Sequence, residues 1–277
     1  MYVFNLDKYF IGDYDMTTYT QRNWSYDNLT DVLDGYPTNG ITVKLSGGAD
    51  SSIIYYALCN ELADRNMDIP VFVATLVAEE KAWYAHYAKK VIDFTCERTG
   101  IKPVEHRTLF LPMPWDIDSY TVAQDELLNS IIDDNLANVY YGGLTANPDP
   151  DIMTKDSYSV HGMSFESYDH CRRIADERDW ARDDNSEKYA IGYGSTPAGN
   201  RFLGVLPFIH LDKKFGTAAM YEKLGVTDDL LPITYSCEER DKNHKTFIKT
   251  VDGFDEYTHC GSCWFCMERA YAFGRLV

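Results

Sequence analysis

A short β-branched run, Ile41-Thr42-Val43-Lys44-Leu45, follows the turn signal Asn39-Gly40 and leads straight into Ser46-Gly47-Gly48-Ala49-Asp50-Ser51-Ser52. Behind that string, Ile53, Ile54, Ala57, Leu58 and Leu62 recur at helical spacing. The order is strand, glycine loop, helix. Two glycines let the backbone bend sharply and approach an anion, while the unpaired amides and positive end of the following helix attract phosphate. Ser46, Ser51 and Ser52 add hydroxyl donors. The spacing is neither Gly-x-x-x-x-Gly-Lys-Ser/Thr nor Gly-x-Gly-x-x-Gly, so neither a Walker nucleoside triphosphatase nor a dinucleotide site is indicated. Gly-Gly alone would mean only a tight turn with Ser51 as helix cap; the full string at a strand end favours an anion cradle.

The remainder of the chain alternates in the same way. Residues 71–77 form a near-continuous apolar run, as expected of a strand covered on both faces, and 79–98 read as an amphipathic helix. Residues 103–110 predict a third strand, 122–136 a helix with Leu127, Leu128, Ile131 and Ile132 inward, and 139–144 a fourth strand ending in Gly142-Gly143. Another apolar run covers 202–209, and 213–224 read as helical. The alternation predicts an α/β fold with a doubly wound parallel sheet and a ligand crevice at the carboxyl ends of its strands. There the loop at 46–52, Gly142-Gly143 and Lys213 can meet. Residues 1–39 read as an irregular extension on the surface or at a subunit contact, 40–230 as the nucleotide-binding domain, and about 147–200, polar with loop signals at 192–199, as an insertion over the site.

Lys44 lies inside a strand expected to be buried, so it must snorkel, pair or reach the site; a salt bridge to a neighbouring helix is the expectation. Asp149 and Asp151 follow the fourth strand and could hold a substrate amine, although acidic residues in a polar loop ordinarily only hold water.

Seven cysteines, an odd number, speak against a disulfide scaffold. Three of them, Cys260, Cys263 and Cys266, stand at two-residue gaps, so their sulfurs can converge on one tetrahedral centre, and Cys237 can close the set. Residues 231–277 thus read as a zinc-binding tail, with His259 or His244 able to replace one thiolate. An iron–sulfur cluster is the rival, but no Cys-Pro follows the run. Cys59, Cys96 and Cys171 stand alone and read as packing residues.

Charge narrows the partners. Twenty-six basic against 43 acidic residues leave a net charge of −17, which opposes direct nucleic-acid binding and anionic lipid surfaces. With no apolar stretch near the ~18 residues of a membrane span and no basic, apolar leader, the reading is a cytoplasmic protein acting on small molecules.

Ser46-Gly47-Gly48-Ala49-Asp50-Ser51 resembles the SGGxDS loop of the PP-loop ATP pyrophosphatases, which cleave ATP between its α- and β-phosphates and activate an oxygen as an adenylate. The loop together with the cysteine tail resembles the 7-cyano-7-deazaguanine synthase (QueC) family. Further matching segments are Tyr141-Gly142-Gly143-Leu144-Thr145-Ala146-Asn147, the Pro207 to Lys213 element, the Thr234 to Cys237 turn and the Cys-Gly-x-Cys-x-x-Cys tail leading to Arg269. The resemblance implies ATP and Mg²⁺ as cosubstrate and cofactor, with Gly47, Gly48, Ala49 and the serine hydroxyls on pyrophosphate and Asp50 ordering the loop or near Mg²⁺. It further implies Lys213 neutralising phosphate charge and Zn²⁺ on Cys237, Cys260, Cys263 and Cys266. The implied reaction converts 7-carboxy-7-deazaguanine and ammonia, with two ATP, to the nitrile; a homodimer follows by analogy. The family's substrate loop after the fourth strand is not reproduced, and residues 238–259 lengthen the distance between Cys237 and Cys260.

Overall fold

The computed structural model describes residues 28–146, 148, 190–209, 211–238, 245–261 and 263–276. Asn147, Asp149, Asp151, Cys171 and His244, most of the segment at 147–200, and residues 1–27 lie outside them.

Six strands make a mostly parallel sheet: β1 (Ile41–Lys44), β2 (Val71–Ala78), β3 (Glu105–Leu111), β4 (Val139–Tyr141), β5 (Ala190–Ser195) and β6 (Arg201–Leu206). Their spatial order is β3-β2-β1-β4-β6-β5, with β5 alone antiparallel, on β6. From β1 the chain winds outward to β2 and β3, then returns past β1 to β4. The direction of winding therefore reverses between β1 and β4, and their carboxyl ends border the crevice that such a reversal opens.

Helices cover both faces. The helices α1 (Ala49–Asp64) and α2 (Trp83–Thr99) share one core with Ile41, Val43, Val71 and Val73. The helix α3 (Ile117–Asp133) covers the other face, with Ala123, Leu127 and Ile131 against Phe72, Ala74 and Leu76. Because successive strand residues point to opposite faces, β2 is apolar at every position but one and all eight are buried; the exception, Thr75, donates its hydroxyl to the Leu45 carbonyl at 2.6 Å. Asp116 starts α3 with a capping box, its carboxylate accepting from the Ser119 amide at 2.8 Å.

Three findings depart from expectation. Leu29, Val32 and Leu33, in a 3-10 turn, are buried in the main core rather than spread on the surface, and the Glu61 carboxylate accepts from the Leu29 and Thr30 amides. The glycine-rich stretch near 192–199, read as loop, supplies β5. Gly194 faces Phe202 across the pair, and a Cβ there would lie 2.3 Å from the ring. Glycine in this strand makes room for the aromatic instead of ending the strand. Residues between Cys237 and Cys260 contain the hairpin β7 (Phe247–Val251) and β8 (Phe254–Tyr257), turned by Asp252-Gly253 with both φ positive. Its buried Glu256 docks on α2 through His86 at 2.7 Å and Lys90 at 2.8 Å. Among the described residues no helix is long and apolar enough to cross a membrane.

Candidate active site and metal centre

The loop after β1 is shaped by close packing. Gly47 has φ +75°, and a Cβ there would lie 2.5 Å from Cβ of Tyr87 and 2.7 Å from the Ala88 nitrogen. Only glycine permits both the left-handed turn and the approach of α2. Gly48 caps α1, with its carbonyl accepting from the Ser52 amide at 3.1 Å and the Ser52 hydroxyl at 2.6 Å. Ser52 is buried, so its hydroxyl braces the loop from within. Ser51 Oγ accepts from the Ser46 amide at 3.2 Å and lies 3.3 Å from Ser46 Oγ. The Gly48 and Ala49 amides meet hydroxyl oxygens of Ser46 and Ser236 only at 3.4 Å. Bonds that long are weak, so both amides keep capacity for an anion beside the hydroxyls that position them.

The end of β4 closes on the same helix. A Cβ on Gly143 would lie 2.8 Å from the Ser51 nitrogen, so the backbone after β4 presses on the first turn of α1. Beyond it, Ala146 forms a parallel bridge with Asp212. Asp212 accepts from the Lys214 and Phe215 amides at 2.9 and 3.0 Å, starting the helical turns at Lys214–Ala218 and α4 (Ala219–Lys223). This fixes Lys213 beside α1.

Lys213 is 2% exposed. Its Nζ lies 2.5 Å from Asp50 Oδ2 and 3.4 Å from Glu268 Oε2, while Thr217 donates to Asp50 Oδ1 at 2.5 Å. Glu268 is fully buried on α5 (Trp264–Phe273). One ammonium therefore stands between two carboxylates at the amino end of α1. The predicted residues of the loop, the β4 end and Lys213 are brought together here. Thr217, Ser236 and Glu268 join them without any signal of their own in the sequence.

Lys44 reaches α3 as expected, but its hydrogen-bond partner is the Gln124 amide oxygen rather than a carboxylate. Burial lowers its pKa to about 8, against the upward pull of the Asp125 charge. The unfolded chain binds the extra proton between about pH 8 and 10.5, so this group makes stability rise with pH through that window and leaves it flat below. Relative to Lys44→Met, wild-type stability is expected to climb by about 3 kcal/mol between those pH values in denaturant titrations. A difference that does not change with pH would show that the amine titrates normally.

The four tail cysteines converge. The Sγ atoms of Cys237, Cys260, Cys263 and Cys266 all lie within 4.8 Å of one another, and Cys260 and Cys266 are 3.8 Å apart. Four sulfurs around one ion at ~2.3 Å would be spaced at nearly that shorter distance. Sulfurs each bound to a different iron of a cluster stand wider apart, so the set fits a single tetrahedral ion better. The Cys260 amide donates to Cys237 Sγ at 3.5 Å and the Cys263 amide to Cys260 Sγ at 3.3 Å, bonds that favour thiolates. His259 is not a fifth candidate: its Nε2 accepts from the Ser236 amide at 3.3 Å, and burial holds its pKa well below the usual range. Of the remaining cysteines, Cys59 is buried on α1 and Cys96 is half-buried on α2.

No protein-family model matches this chain, and no curated protein matches it in sequence. Among solved structures, the U34-tRNA thiolase NcsA from Methanococcus maripaludis, with its 4Fe–4S cluster, is similar over 67% of this chain at 12% identity and a TM-score of 0.37. The match spans 57% of that chain.

Proposed function

We propose that this chain is an ATP-consuming enzyme of the PP-loop type, which splits ATP between its α- and β-phosphates to activate a carboxylate. The supporting observation is the meeting of the glycine loop, Gly143 and Lys213 at the point where the sheet reverses its winding. In this reading the pyrophosphate end of ATP lies at the amino end of α1. There it takes the Gly48 and Ala49 amides, the Ser46 and Ser51 hydroxyls and the charge of Lys213. A carboxylate oxygen attacks the α-phosphorus, the bond to the bridging oxygen breaks, and pyrophosphate departs with the electron pair. Mg²⁺ bound with the nucleotide would neutralise charge on that leaving group. Both carboxylate oxygens of Asp50 have protein partners, Lys213 and Thr217, which supports a loop-ordering role for Asp50.

The acid is proposed to be 7-carboxy-7-deazaguanine, from the shared pattern of loop, β4 end and cysteine tail. Ammonia then attacks the acyl carbon, AMP leaves with the carboxyl oxygen and nitrogen loses a proton, giving the amide. A second ATP activates the amide oxygen, and loss of AMP and of the remaining nitrogen protons gives the nitrile. The four thiolates are proposed to hold structural Zn²⁺. Thiolation of tRNA uses similar activation, but the charge of −17 opposes a polyanionic substrate.

The test is mass spectrometry of nucleotides and acid after incubation with Mg²⁺-ATP, 7-carboxy-7-deazaguanine and ammonia. AMP, pyrophosphate and a converted acid are expected, with two AMP per nitrile. AMP formed with other acids but not this one would overturn the substrate and leave the adenylation. Retention of ATP with no AMP from any acid would overturn the enzyme reading.

A further inference from the structure

The turn between residues 234 and 237 touches the anion cradle on one side and enters the thiolate centre on the other. The Tyr235 amide donates to the Gly47 carbonyl at 2.8 Å, and Ser236 Oγ stands 3.4 Å from the Ala49 amide. The next residue is Cys237, fully buried among the four sulfurs. Tyr235 also stacks on Tyr87, with ring centroids 4.9 Å apart, and Tyr87 is the residue against which Gly47 packs.

The second half of the centre reaches the same place through α5. This helix starts at Cys263, contains Cys266, and carries Glu268, Arg269 and Tyr271. Arg269 is fully buried; its guanidinium donates to Thr234 Oγ1 at 2.9 Å, the Leu231 carbonyl at 2.7 Å and Ser236 Oγ at 3.4 Å. Glu268 faces Lys213, and the Tyr271 hydroxyl donates to Asp212 at 3.0 Å. Each group that sets the cradle from this side, namely Tyr235, Ser236 and Lys213, is thus held by a segment anchored at a thiolate.

We infer that the four-cysteine centre is a positioning device for the anion cradle, with Ser236 and Arg269 as the positioning residues that join them. Without a cation the four sulfurs lose the common partner that ties them together, so loss of the ion frees both Cys237 and the start of α5. The Ala49 amide and the Gly47 carbonyl then lose their fixed partners, and the cradle must be ordered at the expense of anion binding. Metal and nucleotide are therefore coupled, and each strengthens the other by the same factor. The inference rests on the proposed nucleotide site only for the identity of the anion.

The experiment measures binding of the Mg²⁺ complex of α,β-methylene-ATP to the full chain by calorimetry, once loaded with Zn²⁺ and once stripped by chelator under reducing conditions. Hydrogen exchange at residues 47–49 is read in parallel. Stripping is expected to weaken binding by at least tenfold and to speed exchange at those amides. In the Zn²⁺-loaded state, Ser236→Ala is expected to weaken binding three- to tenfold and to speed the same amides. Protection of α5 should be unchanged, and Ser236→Thr should restore the affinity. The Zn²⁺ affinity should rise on nucleotide saturation by the factor that stripping costs. Equal affinity in loaded and stripped chains would overturn the inference, as would Ser236→Ala with wild-type affinity and exchange. If stripping unfolds the chain, the Zn²⁺-loaded Ser236→Ala comparison decides alone. If the loaded wild type binds no nucleotide, the adenylation reading fails, and exchange at residues 47–49 still reads the mechanical link.

Discussion

Replacing Lys213 with alanine is expected to lower AMP formation by ~10³-fold and to cost about 3–5 kcal/mol of stability. The stability loss follows from the neighbours of this ammonium. Asp50 at 2.5 Å and Glu268 at 3.4 Å share it, and Glu268 is fully buried. Without the lysine, Asp50 and the buried Glu268 lose the ammonium they share, and their mutual repulsion is left less well compensated beside a buried carboxylate. Denaturant unfolding reads this directly. Adding Glu268→Gln to the Lys213→Ala chain is expected to recover part of the loss, because only one carboxylate then remains. The activity loss has a separate origin, since charge builds on the departing pyrophosphate at this helix end. Lys213→Arg should keep most of the stability and little of the turnover, because a planar fork does not fit a niche shaped around a point charge. A Lys213→Ala chain as stable as wild type would show that the carboxylates do not depend on it.

Gly47→Ala is expected to abolish nucleotide retention and to destabilise the chain by about 3 kcal/mol or more, the sum of two effects. A left-handed backbone costs a non-glycine residue about 1–2 kcal/mol. The added Cβ would also meet Tyr87 Cβ at 2.5 Å and the Ala88 nitrogen at 2.7 Å, so α2, a helix packed through Ala88, Val91 and Ile92 into the core, would have to retreat. Gly225 separates the effects: its φ is +65° and nothing lies within 4 Å of a Cβ there. Gly225→Ala should show only the backbone cost. Equal losses for both variants in thermal unfolding would mean that the close approach of α2 contributes nothing.

What could be read along the chain was whatever depends on near neighbours. The β1 run, the glycine loop and α1 adjoin one another, and β2 announces itself as an apolar run because both faces of the sheet are covered there. The cysteine spacing pointed at convergence, and Cys237 was within reach as the closing thiol. The hairpin has a sequence signal in Asp252-Gly253, a faint one because its strand β7 is exposed almost throughout and shows no apolar run. β5 was hidden by glycines whose purpose lies in the opposite strand, under Phe202.

The partners of the charged groups are another matter. Lys44 pairs with Gln124 eighty residues away, Lys213 with Asp50 across 163, and Arg269 with Thr234 across 35. No local pattern encodes these, because a buried charge takes whichever complementary group the packing of two distant elements leaves within 3 Å, and several would serve equally well in composition. The order of amino acids by itself therefore determined the elements, the bend of the loop and the convergence of the thiols, all products of local backbone preference and spacing. Only the tertiary structure decided that the thiol centre and the anion loop share one turn and that a single lysine serves two carboxylates, because burial, which makes those contacts strong, exists only once the sheet and its helices have closed.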